Sequence, residues 1–166
     1  MRSIPPLHSW PAAFKKLILV FTSIAFFGVV IGGVFIEATT NLSPRGVVEQ
    51  YSGNEQNRAA TAELKFAKPF KEMLTTTHNH ILGLSPLFLI IGLLYLATGP
   101  VSSWRMLIAA EPFLSLILTF GGLWVMRYWW APFVYVVIAS GTAMLLCFGW
   151  MSLVIMKECL KKDPTL

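Results

Sequence analysis

Two histidines stand two positions apart in the run Thr75-Thr76-Thr77-His78-Asn79-His80, at the start of a long apolar stretch. The chain has three histidines, so this short run carries most of its imidazole. A neutral imidazole ligates iron or another metal through one ring nitrogen, while a hydrogen bond at the other nitrogen sets its tautomer. Side chains two apart on a helix point ~200° from each other. A regular helix therefore cannot offer both rings to one ion. Both reach it only if the helix begins near Asn79 and His78 stays in an extended lead-in. Otherwise one is the ligand and the other caps or orients it. His80 and His78 are thus the candidate ligands for haem iron or another metal. Thr76 and Thr77, one turn before His80, could supply the orienting bond. Met126 is expected at the depth of a second axial ligand. Arg127 and Lys71 are expected at the same membrane level, where they would pair the propionates of a b-type haem. A histidine from another subunit or a five-coordinate iron would also complete the site, since His8 falls at the opposite end. The simpler alternative is that these histidines bond only headgroups, loop carbonyls or water. Another metal or a quinone contact is a further option.

A second unusual residue is Glu111, followed by Pro112. It lies ~9 Å inside the third apolar block, counted from Arg105 at 1.5 Å per residue. A carboxyl at that depth is costly unless it is protonated or paired. Ser115 and Thr119 follow at i+4 and i+8, so this face is polar and should point into the bundle. Depth matching names Thr22 or Ser23, Tyr95 and Ser152 as neighbours. Glu111 and Tyr95 are therefore candidates for a proton or quinone site. The alternative is a protonated acid that hydrogen-bonds one helix to the next. His80 and Glu111 should lie ~15 Å or more apart, near opposite surfaces.

The elements that must position these residues are read from composition. The chain has 166 residues, 55% hydrophobic and 13% charged, and a mean hydropathy of +0.65. A soluble domain carries roughly 25% charged residues. The apolar residues fall in blocks of ~20, the length that crosses a hydrocarbon core as a helix. Such blocks run over about 17–36, 76–98, 104–126 and 133–156. The first is longer than the ~7–15 apolar residues of a signal peptide and lacks an A-x-A-like site, so it reads as a retained span. Its Gly28-x-x-x-Gly32 suggests close helix packing. Pro86 should kink the second span, and Tyr128, Trp129 and Trp130 suit an interfacial aromatic belt. The methionines are packing residues before they are ligands. Residues 37–74 form the long polar segment, expected to cap one end of the bundle, with a helix over about 56–67 ended by Pro69. Cys147 and Cys159 should not pair, one being in lipid and the other beyond it.

The net charge of +5 does not indicate nucleic acid, because the basic residues sit at block ends, where headgroups lie. Seven basic residues fall on the side of the termini and six on the side of the long loop. Basic residues favour the cytoplasmic side, so the termini are expected there. No phosphate loop, hydrolase elbow or H-E-x-x-H zinc motif is present. The chain is short for a transport pathway and shows no catalytic constellation, so independent enzymatic activity is not indicated.

The stretches Gly46-Val-Val-Glu-Gln-Tyr-Ser-Gly-Asn-Glu55 and Lys68-Pro-Phe-Lys-Glu-Met-Leu-Thr-Thr-Thr-His-Asn-His-Ile-Leu-Gly83 resemble small four-helix bacterial membrane proteins whose second helix opens with a Thr-His-x-His element. The resemblance implies an association with membrane electron-transfer complexes, with His78 and His80 as ligands. The lack of a histidine in any other span departs from a self-sufficient bis-histidine cytochrome b. The expectation is an all-α, integral membrane, antiparallel four-helix bundle forming a single domain over 1–166. As to function, it is a small subunit of a redox complex in the bacterial inner membrane, with haem b at His78 or His80. Its partners would be the lipid bilayer and a larger membrane complex with cytochrome subunits, or a second copy in a homodimer. The alternative is a cofactor-free accessory or anchor subunit.

Overall fold

Each long helix is built from a run in which nearly every side chain tolerates lipid, and its boundaries are set by proline, glycine and capping serines. The computed structural model describes residues 5–55 and 64–161. All regular structure among them is helical: α1 Ala12–Thr40, α2 Pro44–Ser52, α3 Phe70–Leu96, α4 Ser103–Tyr128 and α5 Val134–Cys159. Short 3-10 turns over Leu7–Ser9 and Ala131–Phe133 precede α1 and α5. Helices α1, α3, α4 and α5 are long and apolar enough to cross a membrane.

The helices outrun the apolar blocks. The 29 residues of α1 span ~43 Å, against a hydrocarbon core of ~30 Å. Glu37 is still helical, and α3 begins at Phe70, six residues before the expected 76. Backbone groups near the interface still need partners, and continuing the helix supplies them. The connection between the first two spans thereby contracts from the expected 37–74 to 41–69. Most of the helix expected over 56–67 lies outside the described residues, and Leu64–Pro69 is not helical.

Two left-handed residues, Asn41 (φ 51°) and Leu42 (φ 48°), turn the chain out of α1. Asparagine tolerates this conformation; for leucine it costs ~1 kcal/mol or more. Ser43 then caps α2, its hydroxyl accepting from the Gly46 amide at 3.0 Å, with Pro44 in the first turn. A Cβ on Gly46 would lie 1.8 Å from the Thr40 carbonyl oxygen, so only glycine fits. Gly53 (φ 79°) follows α2, and residues 65–68 lie against its end. The Asn54 amide donates to the Lys65 carbonyl at 2.9 Å and the Lys68 amide to the Tyr51 carbonyl at 3.0 Å. Among the described residues the cap is thus a short helix whose end is clipped to the non-helical segment before α3.

Helices α3, α4 and α5 pack against one another, whereas α1 lies along α5 and touches α2. The core of the three-helix unit includes Phe88, set 6.1 Å from Phe113 of α4 and 6.0 Å from Phe148 of α5. Met73, Met126 and Met151 fill the remaining interfaces, as flexible thioethers do. The expected packing of Gly28 and Gly32 is not made among the described residues, where nothing lies within 4 Å of the positions their Cβ atoms would take. At the terminal side, Leu7 is fully buried and its amide donates to the Ala97 carbonyl at 2.9 Å. Both cysteines are free.

Candidate functional site

His78 and His80 lie within α3, well after its start at Phe70, so the extended lead-in that would join them on one ion is not formed. Both side chains are exposed at the bundle surface. Nδ1 of His80 is 2.7 Å from the backbone carbonyl of Thr76. A carbonyl only accepts, so Nδ1 carries the proton, and in the neutral ring Nε2 keeps its lone pair. The ring stacks on Phe120 of α4, centroids 4.5 Å apart and planes at 29°. The hydroxyl of Thr77 accepts from Trp124 Nε1 at 2.9 Å. Thr76 therefore supplies the orienting bond through its backbone, while Thr77 ties α3 to α4.

These contacts set the register of the antiparallel pair, with His80 opposite Phe120 and Thr77 opposite Trp124. Met126 consequently lies ~9 Å from the level of His80 along the helix axis. Its side chain is enclosed, only 2% exposed. The chain does not bring Met126 and His80 together. Arg127 points to the start of α3, where Nη2 reaches the Lys68 carbonyl at 3.5 Å. Its guanidinium also lies 5.1 Å from the Tyr128 ring centroid. Lys71 is exposed in the first turn of α3. Both cations sit at the loop end, outward of His80. Among the described residues no three His, Cys, Asp or Glu side chains are grouped to hold a metal ion.

Glu111 accepts from the Ser115 hydroxyl one turn on, and its other carboxyl oxygen is enclosed with no hydrogen bond from the described residues. Across the helix pair the Cys147 thiol of α5 faces the carboxyl. Further along, Thr119 and Ser140 join α4 to α5 at 2.8 Å, and Ser140 donates onward to the Val136 carbonyl at 2.8 Å. Tyr95 is occupied elsewhere: the Arg105 guanidinium lies 4.2 Å from its ring centroid and donates to its carbonyl and to the Thr98 hydroxyl. No hydrogen bond among the described residues joins Tyr95 to Glu111. Ser23 donates to the Met156 sulfur at 3.6 Å. Thr22 of α1 and Ser152 of α5 are each fully buried, and their hydroxyls have no hydrogen-bond partner among the described residues.

A family model for a transmembrane helical domain, Aq_1264_TM, matches residues 41–166. The chain belongs to this family. No curated protein and no solved structure matches it. The Aq_1264_TM match opens at Asn41, the left-handed residue that ends α1, and covers α2 through α5. It therefore takes in the cap and the three mutually packed helices, together with His78, His80 and Glu111. The helix it leaves out is the one that rests along α5.

Two features of this Aq_1264_TM chain escaped the sequence reading. Cys147 as the neighbour of Glu111 was in principle legible. Counting back equally on both sides of the tight Trp129-Trp130 connection brings position 111 opposite 147–148. The second is a cluster at the terminal side. His8 Nδ1 lies 2.7 Å from Glu158 Oε1, Lys161 Nζ lies 2.6 Å from Glu158 Oε2, and Lys15 Nζ donates to the His8 carbonyl at 2.9 Å. It pins the segment before α1 beneath the end of α5. No sequence signal links His8 to Glu158, because their proximity follows from how α1 seats on α5.

Proposed function

We propose that the chain is a small embedded subunit of a larger membrane redox assembly, and that His80 is its axial ligand to a b-type haem completed by a partner. The observation that carries this reading is the Nδ1 bond of His80 to the Thr76 carbonyl. Such a bond fixes the tautomer and holds the ring plane, as metal-ligating histidines require. Stacking on Phe120 holds the ring from one side. The exposed position of His80 suits a haem shared between subunits, with the second ligand from a cytochrome subunit or from His80 of a second copy. Arg127 and Lys71 would meet propionates reaching toward the loop end. On the count of basic residues, the termini would face the cytoplasm of a bacterium and the cap the outside.

A second reading, a cofactor-free accessory subunit, is favoured by α1. It rests on α5, and the Cβ positions of Gly28, Gly32 and Gly33 meet nothing within 4 Å among the described residues. On this reading α1 docks to a partner helix and His80 simply satisfies itself on its own helix.

The two separate in a dithionite-reduced minus oxidised spectrum of the gently purified native assembly and of the chain alone. A b-type band that vanishes with His80→Ala supports the haem reading. A b-type band that depends on His80 in neither preparation leaves the accessory reading.

A further inference from the structure

We infer that the groove between α2 and the start of α5 binds the headgroup of a zwitterionic, amine-bearing phospholipid, phosphatidylethanolamine in the simplest case. The groove encloses about 400 Å³, and its walls include Arg45, Val48 and Glu49 on one side and Pro132, Val134 and Tyr135 on the other. Its position is the first argument. Ala131 opens the last candidate span, and the two residues before it, Trp129 and Trp130, are 78% and 60% exposed. Exposed tryptophans at a span end mark the headgroup level. Tyr135, one turn further in and also exposed, lines the groove where acyl chains would begin.

The second argument is charge. Arg45 Nε bonds Glu49 Oε1 at 2.6 Å. This leaves the two terminal guanidinium nitrogens of Arg45 and Oε2 of Glu49 without a partner among the described residues. The remaining Arg45 fork matches two oxygens of one phosphate. The free Glu49 oxygen, one helical turn away, accepts from an ammonium. A phosphoethanolamine group carries both halves in one ligand: an anionic phosphodiester and a primary ammonium with N–H donors. Phosphocholine has the same charges but no N–H, so it cannot donate to Glu49. Phosphoglycerol has hydroxyl donors but no cation, so the charge of the Glu49 carboxylate stays unmatched. Free inorganic phosphate would use Arg45 alone and gain nothing from Tyr135.

The test is the unfolding midpoint of the full chain in an uncharged detergent, with added phosphatidylethanolamine, phosphatidylcholine, phosphatidylglycerol or inorganic phosphate. Phosphatidylethanolamine is expected to stabilise most, with an affinity about three-fold above phosphatidylcholine, the size of one partly exposed charged contact. Glu49→Gln is expected to bring these two lipids level. Arg45→Gln is expected to weaken all three phospholipids, and Arg45→Lys to restore part of the binding by keeping the charge without the fork. Equal stabilisation of the wild type by the three lipids overturns the inference. So does a preference for phosphatidylethanolamine that survives Glu49→Gln, or inorganic phosphate acting as well as the lipid. Because the lipid comparison is made first on the wild type, it holds even if a variant disturbs α2.

Discussion

The His80 ring is held at two points by different elements: its Nδ1 bonds the Thr76 carbonyl at 2.7 Å, and its face stacks on Phe120 at 4.5 Å. His78, two residues earlier on the same exposed stretch of α3, is turned ~200° away. The pair that looks like a chelate in the sequence is therefore one oriented ring and one ring facing elsewhere. This difference makes the two histidines separable by mutation.

His80→Phe keeps an aromatic ring for Phe120 and removes the ligand. It should retain the stability of the wild type, while His80→Ala should lose about 1 kcal/mol from the stack. If haem is bound, both should lack the b-type band and His78→Ala should keep it. Difference spectra and unfolding midpoints of the three variants decide this. Loss of the band in His78→Ala alone would reverse the assignment of the ligand.

Gly122 and Gly121 are neighbours with opposite tolerance. A Cβ at Gly122 would come 2.9 Å from Val137 Cγ2 and 3.1 Å from Phe133 Cε1, whereas one at Gly121 meets nothing within 4 Å among the described residues. Gly122→Ala should cost about 1–3 kcal/mol by forcing α4 and α5 apart. Gly121→Ala should be neutral or gain up to ~1 kcal/mol from helix propensity. Equal unfolding midpoints for the two variants would show that the α4–α5 contact is not this close.

Thr119 and Ser140 form a direct hydroxyl contact between α4 and α5, 2.8 Å long. Ser140 spends its own proton on the Val136 carbonyl, so Thr119 is the donor. A double-mutant cycle of Thr119→Val and Ser140→Ala should return a coupling of about 0.6 kcal/mol, the usual size inside membranes. A coupling of zero would mean that the two hydroxyls are independent.

Tyr51 in the cap gives the stability a pH dependence. Burial pushes its phenol above the ordinary tyrosine value of 10.0, and the Glu72 carboxylate adds to the effect. Above about pH 10 the unfolded chain loses this proton while the folded chain keeps it. The unfolded state then binds fewer protons, so stability falls as pH rises through the folded value, and it is fully present below pH ~10. Tyr51→Phe should flatten this alkaline limb. The unfolding midpoint between neutral pH and pH ~11 in the two proteins measures it, and an unchanged limb in the variant would assign the effect to another group.

The sequence by itself determined the class of structure. Apolar blocks of membrane-spanning length admit one solution for the backbone, a helix that satisfies its own hydrogen bonds, and the four spans follow from that. It also singled out the pair His78 and His80, and Glu111, because ionisable groups in such blocks stand out from their surroundings. The tertiary structure decided which residues meet. Whether His80 faces Phe120 or Met126, and whether Glu111 faces Cys147 or Tyr95, depends on the axial register of α3, α4 and α5. Hydropathy does not report register, since lipid-facing and helix-facing side chains are equally apolar. The seating of α1 against α5, with Gly28 and Gly32 left uncovered, was hidden for the same reason. The clasp of His8 on Glu158 was hidden too, because it joins residues 150 positions apart through packing that no local pattern encodes.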